Sequence, residues 1–427
     1  MEPVIIILGI LGAFIILANP YLGLLATISL FSFPLLSISH NLFLGTPIKI
    51  IGAVTFLSTL LHNILQRRKL NLLKIKSFRL FLLFLAYIYV LGFIKLGPFT
   101  KVNFVIFASF AAYGLIILSL VSTKRRFLLV IWTSLISLFI ACSDAIIFYL
   151  SHPGLILRLE GPFLDPNYFA IALLPHIGLC YFLINAQKNT ILRIFLMVIF
   201  AVLIIALVLT SSRGGLIGFA VMFISAILKS KSKFGAIISV IFLSIIMLNF
   251  MPEQVWERFD ATKTTISNFE RTSKVESTKR RIILAQSAWK MYLDNPIFGT
   301  GIGNFYYGHR QYSFLHAGRA HTMYLELMAE LGTIGFLMFL GLLASTFKTL
   351  KLITKSNSDL SPYAKGLSVG LVGFLVAAIF LHAQQEKVFW LCIFLTIALE
   401  QIHRNQFINN KKEKPKSKGD ARLKWKT

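Results

Sequence analysis

Residues 194–228 read IFLMVIFAVLIIALVLTSSRGGLIGFAVMFISAIL, two strongly apolar runs joined by a short polar turn. An α-helix needs about 20 apolar residues to cross the roughly 30 Å hydrocarbon core of a bilayer. Arg213, in the turn, is the only charged residue of this stretch. The stretch therefore predicts two membrane-spanning helices with one arginine at the membrane surface or just within it.

Similar apolar runs recur along the whole chain. Of the 427 residues, 56% are hydrophobic and 14% charged, whereas a typical soluble protein is about 25% charged, so a water-soluble globular enzyme is excluded. We predict an all-α polytopic membrane protein with twelve or thirteen transmembrane helices. The predicted spans are 4–18, 21–36, 46–65, 80–96, 102–121, 127–150, 168–184, 194–210, 214–228, 234–250, 323–343, 364–382 and 388–403.

The charge pattern predicts how these helices are oriented. A net charge of +26, taken alone, suggests a nucleic-acid partner. The basic residues instead cluster on alternate loops, at 67–79, 124–126, 188–193, 229–233 and 348–355, and in the tail after residue 404. The positive-inside rule assigns these segments to the cytoplasm, so no nucleic-acid partner is expected.

Four segments follow from this topology. N-terminal transmembrane helices occupy 1–250, an external loop 251–320, C-terminal transmembrane helices 321–405 and a basic cytoplasmic tail 406–427. The expected location is the cytoplasmic (inner) membrane, with any active site facing outward. The side of the N-terminus stays open, because a turn at Asn19-Pro20 places it outside, while one kinked or re-entrant helix places it inside.

Three arginines are candidates for chemistry. Arg213 can be a snorkelling residue at a helix end, but it lies on the outer side, where it has no topological role, and membrane-embedded charge favours function. Ser277 or Thr278 is predicted to cap an amphipathic helix that starts with Arg280 and Arg281 and lies along the outer surface. One arginine of this pair is expected to contact lipid phosphate and the other the substrate, and the sequence does not say which.

The segment after residue 320 adds a histidine and two acids. Glu326 and Glu330 lie one helical turn apart on one face, and carboxylates entering a membrane span are costly unless paired. We expect Arg213, Arg280 or Arg281 to be their partners. His321, near these arginines, is a candidate general base near neutral pH.

A metal site is not expected. The chain lacks an H-E-x-x-H motif, and His316, His321 and Glu326 do not share one helical face. Cys142, Cys180 and Cys392 all fall inside apolar runs without metal-ligand spacing.

The segment 299–319 combines glycines with aromatic and basic residues. Its glycines do not have the G-x-G-x-x-G spacing of a dinucleotide site, so we expect a tight loop with close backbone approach. The aromatic residues that follow are either interface anchors or flat faces for sugar rings, and both interpretations stay open. Arg310 and Arg319 lie among them.

Taken in order, these segments resemble the O-antigen ligase and Wzy-type polysaccharide polymerase superfamily. The family pattern of histidine, a small polar residue, nine positions and G-x-x-G is matched by His321, Thr322, Gly332 and Gly335. Its outer-turn arginine is matched by Arg213. A third family pattern is an arginine followed by an apolar helix, a proline and a pair of glycines, and it is matched by Arg280 or Arg281 with Pro296, Gly299 and Gly301. A fourth pattern, a glycine and a Pro-Asn pair before a span, is matched by Gly161, Pro162, Pro166 and Asn167.

The resemblance implies a metal-independent, cofactor-free glycosyltransferase that uses a polyprenyl-diphosphate-linked oligosaccharide as donor on the outer membrane face. Its acceptor would be a glycan or a lipid-anchored molecule, and membrane lipid would surround it. Arg213 and Arg280 or Arg281 would stabilise the leaving diphosphate, and His321 would be the base. Substrate-binding roles are assigned to Glu326, Glu330, Arg319, Arg310, Asn167 and Tyr324.

Two questions stay open at this level. A multi-span transporter or a flippase of an anionic or lipid-linked substrate is the alternative class, although the sequence shows no inverted repeat. Within the enzyme class, polymerase and ligase cannot be separated, because both use the same donor. The sugars, their linkage, the oligomeric state and the type of cell envelope are likewise not encoded in any recognisable motif.

Overall fold

A computed structural model describes residues 2–33, 47–67, 72–152, 158–229, 273–315, 318–356 and 358–413. Within these ranges the protein is made of helices and connecting loops without β-strands. The longer helices are α1 (Glu2–Ala18), α2 (Pro20–Phe31), α3 (Pro47–Leu65), α4 (Lys76–Ile94), α5 (Thr100–Leu120), α6 (Lys124–Ser151), α7 (Pro166–Ala186), α8 (Thr190–Leu209), α9 (Arg213–Lys229), α10 (Ser273–Asp294), α11 (Met323–Lys355), α12 (Ser361–Ala377) and α13 (Lys387–Glu413).

This architecture confirms the predicted all-α polytopic membrane protein. In the described ranges, eight helices are long and apolar enough to cross a bilayer, and α1 and α2 supply shorter apolar stretches. Each predicted span in these ranges coincides with a helix. The span predicted at 234–250, the first part of the predicted external loop and the end of the basic tail lie outside the described residues.

The break at Asn19-Pro20 is a turn at the end of the bundle that carries the basic loops. The Tyr21 hydroxyl donates to the carbonyl oxygen of Arg126 at 2.6 Å. A Cβ built on Gly23 would lie 2.7 Å from Cγ2 of Ile16, although a continuous helix would separate these residues by about 10 Å along its axis. The chain therefore doubles back here, and α1 and α2 form a hairpin.

Glycines let α7, α9 and α12 approach at backbone distance. A Cβ on Gly178 would lie 2.8 Å from the amide nitrogen of Gly370, and one on Gly218 would lie 2.6 Å from the carbonyl oxygen of Gly373. Such contacts are a usual way of packing helices in membranes, where small residues allow extensive van der Waals contact. This three-helix unit brings the starts of α7 and α9 next to the end of α12.

Helix α11 is interrupted at Gly332, whose φ is +63° and ψ is −170°. The segment 296–301 forms backbone hydrogen bonds with the residues on both sides of Gly332. Thr333 N donates to the Pro296 carbonyl oxygen at 2.8 Å, and Gly301 N donates to the Glu330 carbonyl oxygen at 2.8 Å. The Tyr87 hydroxyl donates to the freed carbonyl of Leu331 at 2.9 Å. A broken helix at membrane depth requires such replacement partners, so the break is part of the fold.

Candidate functional site

The candidate site lies at the end of the bundle opposite the basic loops. Four elements meet there: the starts of α7, α9 and α11, and the connection 378–386 between α12 and α13. Helix α10 and the loop after it pack against α11 through a small core of Leu284, Ala288, Met291, Phe305, Ala320 and Ala329. Residues far apart in the sequence therefore converge at this end.

The turn before α9 presents Arg213. Ser211 has a φ of +50°, an unusual value for a residue other than glycine, which reverses the chain between α8 and α9. The Ser212 hydroxyl donates to Oδ1 of Asn167 at 3.0 Å, and a guanidinium nitrogen of Arg158 donates to the same atom at 3.2 Å. Asn167 thus ties the start of α7 to the turn that carries Arg213.

Glycine is required two positions after Arg213. A Cβ on Gly215 would lie 2.6 Å from Cβ of Ala170, so a larger residue would push α9 away from α7. At the start of α7, Asp165 Oδ1 accepts the amide hydrogens of Asn167 and Tyr168 at 2.7 and 3.1 Å. This is a typical aspartate N-cap, and it fixes Asn167 relative to the turn.

Helix α10 differs from the prediction in its start and in its apolar face. It begins at Ser273 rather than after a cap at Ser277 or Thr278. The buried positions are spaced three and four residues apart and face α11, whereas Ile282 and Trp289 are exposed. The predicted single apolar face is therefore wrong: one apolar stripe packs on the protein and another points away from it.

Arg280 and Arg281 occupy different environments. Arg281 is half-buried and Arg280 is exposed. Burial and the positive charge of Arg213 both lower the pKa of Arg281, while Asp165 opposes this. The influence of Arg213 shows that the two guanidinium groups lie near each other, an arrangement suited to binding an anion of more than one charge.

His321 lies beside this pair in a strained conformation. Its φ is +51°, in the left-handed region that residues with a Cβ rarely adopt. Burial and the charge of Arg281 lower the pKa of His321 to about 4, while Glu326 opposes the shift. The imidazole is therefore neutral at pH 7 and can accept a proton, as the predicted general base must.

The fully buried carboxylate of Glu326 is bound by a set of partners that differs from the predicted arginines. Its Oε1 lies 2.8 Å from Nδ1 of His382 and 3.2 Å from a guanidinium nitrogen of Arg319. Its Oε2 accepts the amide hydrogen of Ala320 at 2.9 Å, and Gln384 contributes a longer bond of 3.4 Å. Our assignment of Arg213, Arg280 or Arg281 as its partner is thus replaced by Arg319 and His382.

His382 and Gln384 were not singled out from the sequence. The signal was present in the polar run His382–Glu386, which separates two apolar runs of the sequence. A single histidine beside a predicted span is uninformative on its own, because the sequence cannot show that it meets a buried carboxylate on another helix.

Glu330 is also buried, and it supports the loop after α10. Its Oε1 accepts the amide hydrogen of Phe305 at 3.0 Å. Gly299, with a φ of +71°, lies against Gly332, where a Cβ would be 2.4 Å from the Gly332 amide nitrogen. The glycine motif of the loop after α10 therefore contacts the glycine motif of α11, and this contact packs the loop against α11.

The other predicted binding residues surround this arrangement. The guanidinium of Arg310 stacks over Tyr307, with its central carbon 4.6 Å from the ring centroid, and that of Arg319 over Tyr306 at 5.5 Å. The Tyr324 hydroxyl donates to the Leu375 carbonyl oxygen at 2.7 Å, which joins α11 to α12. His316 lies outside the described residues.

Among the described residues, no group of three or more histidine, cysteine or acidic side chains is arranged to hold a metal ion. Cys142, Cys180 and Cys392 are free thiols buried between helices.

Comparison with known protein families gives a match to part of the chain. A family model described as O-antigen ligase matches residues 196–340, a segment that contains Arg213, Arg281, His321, Gly332 and Gly335. A search of curated proteins finds no match. The resemblance inferred from the sequence motifs is confirmed by this family match.

Proposed function

We propose, from the O-antigen ligase match over residues 196–340, that this protein is a membrane glycosyltransferase that acts on a polyprenyl-diphosphate-linked glycan. The observation that carries the proposal is the convergence of Arg213, Arg281 and His321 at one end of the bundle, where the charge of Arg213 acts on Arg281 and that of Arg281 on His321. Two cations next to a neutral base fit a reaction that expels a diphosphate and deprotonates a hydroxyl.

In the proposed reaction an acceptor hydroxyl oxygen bonds to the anomeric carbon of the donor sugar. The bond from that carbon to the diphosphate oxygen breaks, and the diphosphate leaves with the electron pair. Arg213 and Arg281 hold the diphosphate, whose negative charge grows as the bond breaks. Nitrogen of the His321 imidazole takes the proton of the hydroxyl. Since diphosphate is a good leaving group, the reaction needs no general acid, and we propose that the two arginines take the place of a metal ion.

Arg281 is the member of the pair that we assign to the diphosphate. It is half-buried and is affected by the charge of Arg213, whereas Arg280 is exposed and suits a lipid-phosphate contact. Burial strengthens the interaction of a guanidinium with an anion, because less water screens it. We therefore assign the half-buried arginine of the pair to the substrate.

Glu326 is proposed to position His321 rather than to touch the substrate. The carboxylate holds the backbone at Ala320, one residue before His321, and it is itself held by His382 and Arg319. Arg310, Arg319, Tyr324 and Asn167 complete the surroundings. Arg310 and Arg319, each stacked on a tyrosine, offer positive charge and an aromatic face to an anionic glycan.

We propose that this site lies outside the cytoplasm. The basic loops and the tail 406–427 are proposed to face the cytoplasm, the loop 251–320 and the site the outer side, and the helices of 1–250 and 321–405 form the membrane domain. A donor carried on a membrane lipid can reach such a site laterally, since its diphosphate lies at the interface where the arginines are.

The test uses purified protein with a lipid-linked oligosaccharide and an acceptor. His321→Ala and Arg213→Ala are expected to abolish glycan transfer. The control Arg193→Ala, an exposed arginine at the opposite end of the bundle, is expected to leave it unchanged. Undiminished transfer in both site variants would contradict the proposed mechanism, and substrate flux without transfer would indicate a transporter or a flippase. Products with more than one repeat unit indicate a polymerase, and transfer to a lipid-anchored core indicates a ligase.

A further inference from the structure

A pocket of about 220 Å³, lined by both polar and apolar side chains, lies at the end of the bundle opposite the candidate active site. It opens between α1, α2 and α3 and the start of α6. Its lining consists of Ala18, Asn19, Pro20, Tyr21, His62, Asn63, Gln66, Leu120 and Arg126. None of these residues takes part in the proposed transfer reaction.

Arg126 gives the pocket its positive charge. Its guanidinium lies over the Tyr21 ring, 5.2 Å from the centroid, and one of its nitrogens donates to the Leu120 carbonyl oxygen at 3.0 Å. A guanidinium has five N–H donors, so others are available to a ligand. The described residues that line the pocket include no acid, and the first turn of α2 adds the positive end of a helix dipole.

The helices around the pocket also present apolar surface toward the bilayer. Leu17 at the end of α1 and Leu61 and Ile64 at the end of α3 are exposed by 37%, 45% and 71%. Farther along the same helices, Phe14 and Leu57 are exposed by 66% and 53%. A ligand with its charge in the pocket could therefore lay a hydrocarbon chain along these side chains, which a soluble anion could not do.

We propose that this pocket binds the phosphodiester headgroup of an anionic membrane lipid, with Arg126 as the main contact. Basic pockets between transmembrane helices at the cytoplasmic interface are suited to such headgroups. The guanidinium pairs with the phosphate oxygens, the Asn63 and Gln66 side chains surround the polar headgroup, and the acyl chains lie along α1 and α3. The lipid would hold the hairpin of α1 and α2 against α3 and α6.

Native mass spectrometry of the delipidated full-length protein tests the proposal with phosphatidylglycerol as the probe, and with phosphatidylethanolamine and glycerol phosphate as comparisons. We expect phosphatidylglycerol to bind more tightly than either. Arg126→Gln is expected to weaken its binding roughly tenfold, the effect of losing a charge-assisted contact. Because Arg126 also supports Tyr21 and Leu120, the exposed Gln66→Glu provides a second variant that repels the anion without removing a packed side chain.

Arg125→Gln is the matched control, because Arg125 is adjacent and exposed but absent from the pocket lining. It should leave binding unchanged. An equal loss in Arg125→Gln would show nonspecific attraction to basic residues and overturn the proposal, as would unchanged binding in both pocket variants. Equal binding of glycerol phosphate would overturn the assignment to a lipid.

Discussion

Nδ1 of His382 lies 2.8 Å from Oε1 of Glu326, and this contact joins the first turn of α11 to the connection between α12 and α13. Both side chains are almost fully shielded from solvent, with 7% and 0% of their surface exposed. The same carboxylate receives the amide hydrogen of Ala320. The contact therefore links the packing of α12 and α13 to the backbone that carries His321.

Replacing either partner should loosen that backbone. We expect Glu326→Gln to lower the stability of the folded protein by roughly 3 kcal/mol, because removing one partner of a buried pair leaves the other uncompensated. Transfer activity should fall along with it, since His321 loses its support. Thermal unfolding in detergent and a transfer assay at low temperature measure the two effects.

The control for this prediction is Asp359→Asn, which breaks the exposed pair with Lys124 at the other end of the bundle, 2.5 Å in length. Exposed ion pairs contribute about 1 kcal/mol or less, so little change is expected. If both variants behaved alike, the Glu326 contacts would have no special role in holding the site.

The pH dependence of transfer should reflect His321. Since the free-enzyme pKa of His321 is lowered to about 4, the imidazole is unprotonated above that pH. We therefore expect kcat/KM to stay constant as the pH is lowered from 8 and to decrease only as the pH falls through about 4, rather than through the ordinary histidine pKa of about 6.5. A bound diphosphate favours the imidazolium, so the decrease in kcat should occur at higher pH than that in kcat/KM.

Measuring both profiles between pH 3.5 and 8 on wild-type protein and His321→Gln checks this prediction, because the variant should lose both acidic limbs together with most of its activity. An acidic limb of kcat/KM centred near pH 6.5 in the wild type would mean that His321 is not shielded as described.

The two arginines at the start of α10 should differ in effect. Arg281→Ala is expected to reduce kcat roughly 100-fold, a usual cost of removing one group that stabilises developing negative charge. Arg280→Ala is expected to change kcat by less than about threefold, since it is exposed and screened by water. Arg281→Lys should recover only part of the loss, because an ammonium cannot make the paired contacts of a guanidinium. A larger loss in Arg280→Ala would reverse the assignment.

Gly332 should tolerate no side chain. Gly332→Ala places a Cβ 2.3 Å from the carbonyl oxygen of Ile297, and its φ of +63° is already unfavourable for alanine. Stability should fall by more than about 2 kcal/mol, with strain and displacement of the loop 296–301 both contributing.

Gly341→Ala is the comparison within the same helix, since a Cβ there has nothing within 4 Å. Alanine is the better helix former by up to about 1 kcal/mol, so this variant should be neutral or more stable in thermal unfolding. Similar losses in both variants would argue against the close contact of Gly332 with the loop.

Removing the Tyr324 hydroxyl distinguishes a structural role of this residue from a role in substrate binding. Its hydroxyl donates to the Leu375 carbonyl oxygen, so Tyr324→Phe should cost about 1 kcal/mol of stability through the lost hydrogen bond while leaving the KM for the donor unchanged. A raised KM with unchanged stability would support the sequence-based prediction that Tyr324 binds substrate.

The sequence predicted the helices well and their contacts poorly. Each helix of α3–α9 is present as predicted, because the length of an apolar run and the charged residues that flank it are local properties of the sequence. The start of α10 was placed too late, since the polar residues 273–279 give no apolar periodicity from which a boundary could be read. The partner of Glu326 was assigned to the wrong arginines, since only the folded chain shows that Arg319 and His382 lie within reach of this carboxylate.

The sequence by itself determined the class of protein, the helices, the distribution of charge between the two ends and the motifs of His321, Gly332 and Arg213. These follow from hydrophobicity and residue type, which act over one or two helical turns. The tertiary structure alone decided that Arg281 rather than Arg280 is half-buried, that His382 meets Glu326, and that Gly299 and Gly332 share one contact. Those choices depend on how helices from distant parts of the chain pack, because only close packing at backbone distance brings the groups into reach of each other.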